Sequence, residues 1–393
     1  MSVMGNHCRM GMMSLCGLAV AGAPQWGGTN LDDLCRLAYE RVERGYLSSR
    51  TKLIYSCAPS LVTPAAKFRK GLLYPELGDG YGVGMEDTAI VGGVALSMLV
   101  DWQAVTGDAS LSSRARTVYE GLRGLVTAHG VPGFVARGLC VEDGRSICAL
   151  SSRDQVTHVV HGLWRYWRSP LSGAAEREEI GRLLTAIAMR MRTNCTPEND
   201  YDFLRADGSR DVRGIQRMWD CHPHEMGRLP MIYLAAWVTT GDSQWKALYD
   251  GLVDESLDSA LKLADPDVSR KLRSLMPEYT LLQMQSCQEL LLAEEPDAAR
   301  RARIRQAMEA PAEMGATRAV ALNGGDSRWL CGAGETLLAQ LYVPGRPFTE
   351  AMAALLRQSL TEPPLPTASS CRIVHLAAAY WRWRRNTLAQ GAR

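Results

Sequence analysis

The sequence predicts an all-α protein, and three observations predict it. Segments with helical periodicity follow one another along most of the chain, they alternate between two kinds, and one three-residue turn recurs between them. Amphipathic segments occupy 29–46, 110–129, 173–193, 243–264, 296–310 and 349–360. Nearly apolar segments occupy 87–105, 155–168, 224–240, 277–293, 331–342 and 371–385. A helix that is apolar all round must be buried, and an amphipathic one covers it from outside. Six of each kind in alternation imply an (α/α)6 toroid.

The first segment opens at Asn30 and Asp32, which suit a helix start. Thr106-Gly107-Asp108 and Thr240-Gly241-Asp242 each close an apolar segment. Gly just past a helix end accepts the left-handed conformation, and Asp suits the start of the next helix. The recurrence suggests a diverged structural repeat. Strand signals are confined to 51–57 and 133–140, so short β segments are expected in the loops at the toroid mouth. No Pro/Ser-rich or low-complexity linker interrupts the alternation, and 24–393 reads as a single toroid domain.

Residues 1–23 read as a signal peptide or a disordered extension. His7 and Arg9 precede an apolar stretch, 10–23, that ends in small-x-small patterns, with cleavage expected after Ala21. A periplasmic or secreted location follows, with a cytoplasmic one as the alternative. No other segment reads as long and apolar enough to span a bilayer, so membrane insertion is not expected.

The bulk numbers exclude several classes. Of the 393 residues, 46% are hydrophobic and 22% charged, which is globular rather than disordered composition. Lys+Arg (44) and Asp+Glu (42) nearly balance, and no basic block marks a nucleic-acid footprint. Arg382, Arg384 and Arg385 read as solvated charges that complement the dipole at a helix end. The 11 cysteines form no CxxC pair, which leaves zinc ribbons and thioredoxin-like motifs unsupported. Cys140/Cys148 and Cys195/Cys221 are disulfide candidates, with free buried thiols equally compatible. Trp (10) and Tyr (13) far outnumber Phe (4), a usage suited to clefts where an apolar ring carries a polar tip.

The chemistry is expected in the loops. In a toroid the inner helices run roughly parallel, so their N-termini open on one mouth. The long loops, 47–86, 130–154, 194–222 and 315–330, lead into those N-termini and mark a binding face. Glu86 and Asp87 precede the first inner helix, with Tyr81 upstream. Arg153, Asp154 and Gln155 start the second, with His158 and His161 on the next turns. Trp219, Asp220, His222, His224 and Glu225 precede the third, and Asp326 and Trp329 lie before the fifth. Each cluster also has a plain structural reading. Asp87 and Asp154 are good helix caps, and Asp326 is good turn chemistry. His158 and His161 share a helix face but match no recognised metal-ligand spacing, so no metal or cofactor is called for. The Gly-rich run 78–84 follows no clear strand and is not a phosphate loop.

The strings GMEDTAIVGGVAL (84–96), SSRDQVTHVVHGLWRYWRSPL (151–171) and PHEMGRLPMIYLAAWVTTGD (223–242) resemble the six-hairpin glycosidase superfamily. That group includes unsaturated glucuronyl hydrolases, rhamnogalacturonyl hydrolases and sugar epimerases, and the chain is similar to bacterial toroid proteins classed as uncharacterised glycosidases. The resemblance covers most of 80–242 and implies the toroid fold. It transfers no catalytic residue, although Asp87 and Asp154 fall where such families place inner-helix aspartates.

A glycoside hydrolase acting on an oligosaccharide, with a uronic acid as a candidate sugar, is the leading expectation. Glycoside cleavage needs two carboxylates across the scissile bond. Asp87 and Asp154 are the first pair, with Glu86, Glu225 and Asp220 in reserve. Arg137, Arg153 and Arg213 offer guanidinium forks for a uronate, and Gln155, His222, Tyr81, Trp219 and Trp329 complete the expected binding residues. A polysaccharide lyase or sugar epimerase would instead use His158, His224 or Tyr81 as base. A non-catalytic glycan-binding protein would rely on Trp219 or Trp329. The expected partner is an oligosaccharide.

Overall fold

A computed structural model describes residues 30–62, 84–323, 332–361 and 369–391. The signal-peptide reading of 1–23 falls outside them. The described residues are mostly helical. The helices are α1 (Leu31–Gly45), α2 (Thr88–Thr106), α3 (Leu111–Thr127), α4 (Arg153–Arg168), α5 (Ala174–Asn194), α6 (Arg228–Thr240), α7 (Ser243–Leu261), α8 (Pro266–Leu272), α9 (Glu278–Glu294), α10 (Ala298–Asn323), α11 (Ala333–Leu341), α12 (Glu350–Thr361) and α13 (Ser370–Gly391).

All twelve expected helices are present. The added one, α8, carries its own signal: Asp265 accepts from Asp267 N at 2.8 Å and Pro266 fills the first helical position. The two Thr-Gly-Asp turns have the same construction. Gly107 (φ 68°) and Gly241 (φ 74°) are left-handed, and their N–H groups donate to Gln103 O and Trp237 O at 2.8 and 2.7 Å. The Thr hydroxyl bonds back into the finished helix. The Asp carboxylate accepts from the residue two places on, Ser110 N at 2.8 Å and Gln244 N at 3.0 Å.

Burial follows the alternation. α4 is buried continuously over 155–166, α6 over 228–236 and α9 over 280–291. On α3 the buried positions are Leu111, Ala115, Val118, Tyr119, Leu122, Leu125 and Val126, one face only. α2 packs against α4 and α13, α4 against α6 and α9, α9 against α6 and α11, and α11 against α13. The amphipathic helices lie on this set: α3 on α2, α5 and α7 on α6, α10 on α9 and α11, α1 on α13 and α12 on α11. Glycines set the closest crossings. A Cβ at Gly93 would sit 2.1 Å from His158 O, and one at Gly162 would sit 2.7 Å from Gly93 O, so α2 and α4 cross backbone to backbone.

Four expectations are corrected. Among the described residues neither 51–57 nor 133–140 forms a strand. Isolated bridges join Leu47 to Ile54 and Asp202 to Arg217. The polar groups of 133–140 find other partners: Arg137 O caps α2 through Ala89 N at 3.1 Å, Leu139 O accepts from Tyr55 Oη at 2.6 Å, and Ala136 N donates to Leu125 O at 3.0 Å. α10 does not end at 310. It continues through Pro311 to Asn323, so the first part of the expected loop 315–330 is helical. Proline removes one helical hydrogen bond, and packing of α10 on α7, α9, α11 and α12 holds the rest. By length and composition α2 could cross a membrane, although no such segment was expected; 78% of that window is buried within the protein.

The fourth correction concerns Arg382, Arg384 and Arg385. They are not solvated helix-end charges, because α13 runs on to Gly391 and places them inside the helix. Arg382 is 6% exposed and ion-paired to Glu289, with Asp101 Oδ2 at 3.5 Å. Arg385 bonds Asp101 at 2.6 Å, and Arg384 pairs with Asp32 of α1. Arg165 joins the same cluster, bonding Asp101 and meeting Glu289 at 2.9 Å. His161 Nε2 lies 2.8 Å from Glu289 Oε2, and Arg382 stacks over the Tyr342 ring at 4.6 Å. Burial alone would raise the pKa of Asp101 and of Glu289. The guanidiniums outweigh it, so both carboxyls are held below their usual range, Glu289 far below.

Removing one partner from a buried ion cluster leaves an uncompensated charge, at a cost of about 3–5 kcal/mol. Glu289→Gln is expected to destabilise the fold by that order, read as a lowered urea midpoint. An unchanged midpoint would contradict the role given to this cluster.

Candidate functional site

Asp101, Arg165, Glu289 and Arg382 all lie in the C-terminal parts of α2, α4, α9 and α13 and meet one another. These helices therefore run the same way, and their N-terminal ends meet too. There Gln155 Nε2 donates to Asp87 Oδ1 at 3.0 Å and to Glu86 O at 3.2 Å. Arg137, 3% exposed, donates to Glu86 O at 3.0 Å and lies 3.6 Å from Asp87 Oδ1. The Glu86 carboxylate accepts from Ser56 Oγ at 3.4 Å.

Asp87 occupies the capping position of α2, yet its side chain makes no capping hydrogen bond. Arg137 O serves that end of the helix instead, so capping does not account for Asp87. Burial raises its pKa most. Arg137 and Gln155 oppose that, Glu86 and Asp154 add to it, and the net shift is upward. Protein atoms crowd the carboxyl from the helix side and desolvate it there, while 43% of the side-chain surface stays open, so this raised carboxyl is also reachable.

Asp154, in the first turn of α4, is the opposite case. Its Oδ1 accepts from Arg228 Nη1 at 2.7 Å. Burial acts to raise its pKa, but Arg228, then Arg153 and Arg137, hold the carboxyl below the usual range. Arg228 is 1% exposed and also donates to Gln283 Oε1 at 2.7 Å and to Thr157 Oγ1 at 3.3 Å, tying α4, α6 and α9 together.

The segment between α5 and α6 brings the third group. It holds Asp200, Tyr201, Leu204 and Asp220 at positive φ (49–61°), strain that concentrates at functional loops. Arg153 is fixed to it: Nη1 donates to Gly214 O at 2.6 Å, and Nε donates to Glu225 Oε1 at 2.7 Å. His224 is buried, 3.7 Å from Glu225 Oε1, and stacks on the exposed His222 at 5.5 Å between centroids. Burial, with Arg228 and His222, pushes the His224 pKa down to about 3, so the ring is neutral.

Sequence reasoning missed Arg228, Gln283, Glu335 and His375. Arg228, the one charged residue of the apolar α6, carried a signal; Gln283, Glu335 and His375 sit among other polar residues of their helices and carried none. Glu335, in the first turn of α11, is pushed up to about 8 by burial, then by Glu278 and Asp87. His375 of α13 is 1% exposed, and burial lowers its pKa to about 4. His158 is held well below the usual histidine value by burial, then by His375 and His161. His158 and His161 do not act as a pair, since His161 is bonded to Glu289.

Several buried atoms here have no hydrogen-bond partner: Gln155 Oε1, His158 Nδ1, His224 Nδ1, Glu225 Oε2, Gln283 Nε2 and His375 Nε2. Buried polar atoms are usually satisfied; unpartnered ones also occur away from this end, at Arg165 Nε, Trp245 Nε1 and Arg382 Nε among others.

The other expected residues are placed less centrally. Trp219 is 6% exposed and packs in the hydrophobic core, with almost no ring surface open to a ligand. Arg213 lies 3.6 Å from Asp211 with 35% of its side chain exposed, and Asp220 pairs with Arg217 at 2.6 Å. Tyr81, Asp326 and Trp329 lie outside the described residues. Neither expected disulfide, Cys140–Cys148 or Cys195–Cys221, is formed. A cavity of about 420 Å³ lies elsewhere, lined by Ala316, Gln340, Arg346, Thr349 and Met352, away from these carboxylates. Comparison of the chain with protein-family models and with curated proteins gives no match.

The shift at His224 gives a stability signature. Between its ordinary value of 6.5 and about 3, the unfolded chain binds a proton that the folded one refuses. This contribution is fully present above pH 6.5 and is lost as pH falls toward 3. His224→Gln is therefore expected to make the acid-side fall in melting temperature shallower than in the unaltered protein. Parallel curves would contradict a buried neutral His224.

Proposed function

We propose that this chain is an (α/α)6 toroid that hydrolyses an oligosaccharide at the N-terminal ends of its inner helices. The order of packing supports the toroid reading, since contacts pass from α2 through α4, α6, α9, α11 and α13 and back to α2. The likeness of 84–96, 151–171 and 223–242 to six-hairpin glycosidases supports the substrate class. One observation carries the chemistry: two carboxyl groups on neighbouring helices are pushed in opposite directions, Asp87 up and Asp154 down.

Such divergence separates an acid from a base. Asp87 holds its proton more readily and would deliver it to the glycosidic oxygen as the bond breaks. Asp154, kept ionised by Arg228, would act as base toward water or as nucleophile toward the anomeric carbon. Gln155 holds Asp87 in place, and the unpartnered donors and acceptors of Gln283, His158 and His224 would meet sugar hydroxyls.

A second reading has one observation in its favour. Arg137, Arg153 and Arg228, gathered around Asp154, could hold the carboxylate of a uronate and so favour loss of its C5 proton, as a polysaccharide lyase requires. Lyase products carry a double bond that absorbs in the near ultraviolet, and hydrolysis products do not.

A screen of labelled oligosaccharides is expected to give a cleaved product without that absorbance. Asp87→Asn and Asp154→Asn should each lower turnover by about 10²–10⁴-fold, the range of general acid–base catalysis. Melting temperature should be retained in Asp87→Asn and lowered in Asp154→Asn, which strips buried Arg228 of its partner, so circular dichroism checks that the second variant is folded when assayed. Full activity in either variant would remove that residue from the mechanism.

A further inference from the structure

Three donors of different chemical kinds meet where α11 packs on α13. Glu335 comes from the first turn of α11, and Cys371 and His375 lie one helical turn apart on α13. One donor atom from each falls within 4.8 Å of the others. The plain reading is a half-buried thiol beside a core histidine, with a carboxyl nearby. The imidazole argues against it.

His375 Nδ1 lies 2.7 Å from Cys371 O, which can only accept, so that nitrogen carries the hydrogen and donates it; Cys371 Sγ lies 3.5 Å from the same nitrogen, so the thiol must rotate to share an ion with Nε2. The lone pair is then on Nε2, which is buried, has no hydrogen-bond partner and lies 4.0 Å from Glu335 Oε1. That distance is too long for a hydrogen bond. It is a few tenths of an ångström beyond the roughly 3.4 Å that separates two ligands of a tetrahedral zinc ion with bonds of about 2.0–2.1 Å. A histidine whose Nδ1–H is fixed by a backbone carbonyl, with its other nitrogen bare, is the arrangement that metal-ligating histidines adopt.

The crossing that makes the cluster is close. A Cβ at Gly334 would lie 2.5 Å from the His375 carbonyl carbon, so glycine lets α11 seat the neighbouring Glu335 against His375. Thiolate, imidazole and carboxylate together suit a borderline-soft ion of the zinc class rather than magnesium or calcium. We propose that Glu335, Cys371 and His375 form a binding site for a zinc-class divalent cation. Three protein ligands leave a fourth position open, and binding expels to solvent the Cys371 thiol proton and the proton of the Glu335 carboxyl where it is held. The proposal does not rest on the hydrolase reading, since it concerns binding of the ion alone.

The test is a cobalt(II) titration of the chelator-treated full chain. About one equivalent is expected to bind, with a thiolate-to-cobalt band in the near ultraviolet and tetrahedral bands in the visible. Cys371→Ser should abolish the near-ultraviolet band. His375→Gln should weaken binding by more than the roughly 10–100-fold that loss of an outer partner costs. Circular dichroism of the metal-free variants checks that they fold. X-ray absorption of the zinc-loaded unaltered protein needs no variant and should give one sulfur and at least one imidazole around the metal. No thiolate band, a band unchanged in both variants, or a zinc shell without sulfur would each overturn the proposal.

Discussion

Asp101 and Glu289 are carboxylates buried among apolar helices, and the packing of α2, α4, α9 and α13 is organised by the guanidiniums that neutralise them. Arg165 and Arg382 each contact both carboxylates, and Arg385 reinforces Asp101. A charge left alone at this depth would be very unfavourable, so α2, α4, α9 and α13 must keep the register that brings these groups together. Apolar packing alone would tolerate a shift of a helix along its axis. The ion cluster does not.

That register fixes what happens at the other end of the same helices. At the C-terminal parts each buried carboxylate meets at least two guanidiniums. At the N-terminal parts Asp154 is answered by Arg228 and Glu225 by Arg153, and several amide, imidazole and carboxylate atoms around them have no partner. Natural sequences tend to break local rules at functional sites and compensate elsewhere. The glycine crossings serve the same end: with Gly93 against His158 O, α2 approaches α4 closely enough for Gln155 to reach Asp87.

Much of the helical plan was legible in the sequence because hydrophobic periodicity reports burial directly. The twelve segments and both Thr-Gly-Asp turns follow from it. The strand reading of 133–140 failed because extended backbone there bonds to a helix end and to side chains rather than to another strand. Arg382 was misread because cations near an apparent helix end are usually solvated, and nothing local reveals that Asp101 and Glu289 wait on other helices. At the candidate site, Asp87, Asp154, Gln155 and Glu225 were legible as polar clusters before apolar helices. Arg228, Glu335 and His375 were not, since their importance lies in contacts between helices distant in sequence. A single charged residue opening an apolar helix, Arg228 in RLPMIYLAAW, was a signal that could have found the first of them.

The central claim is that two aspartates on neighbouring helices are held in opposite protonation preferences. A carboxyl-carbon NMR titration of Asp87 and Asp154, each assigned through its Asn variant, measures this directly. The account predicts that Asp87 titrates above the ordinary aspartate value of about 3.9 and Asp154 below it. Two carboxyls titrating together at that value would contradict it.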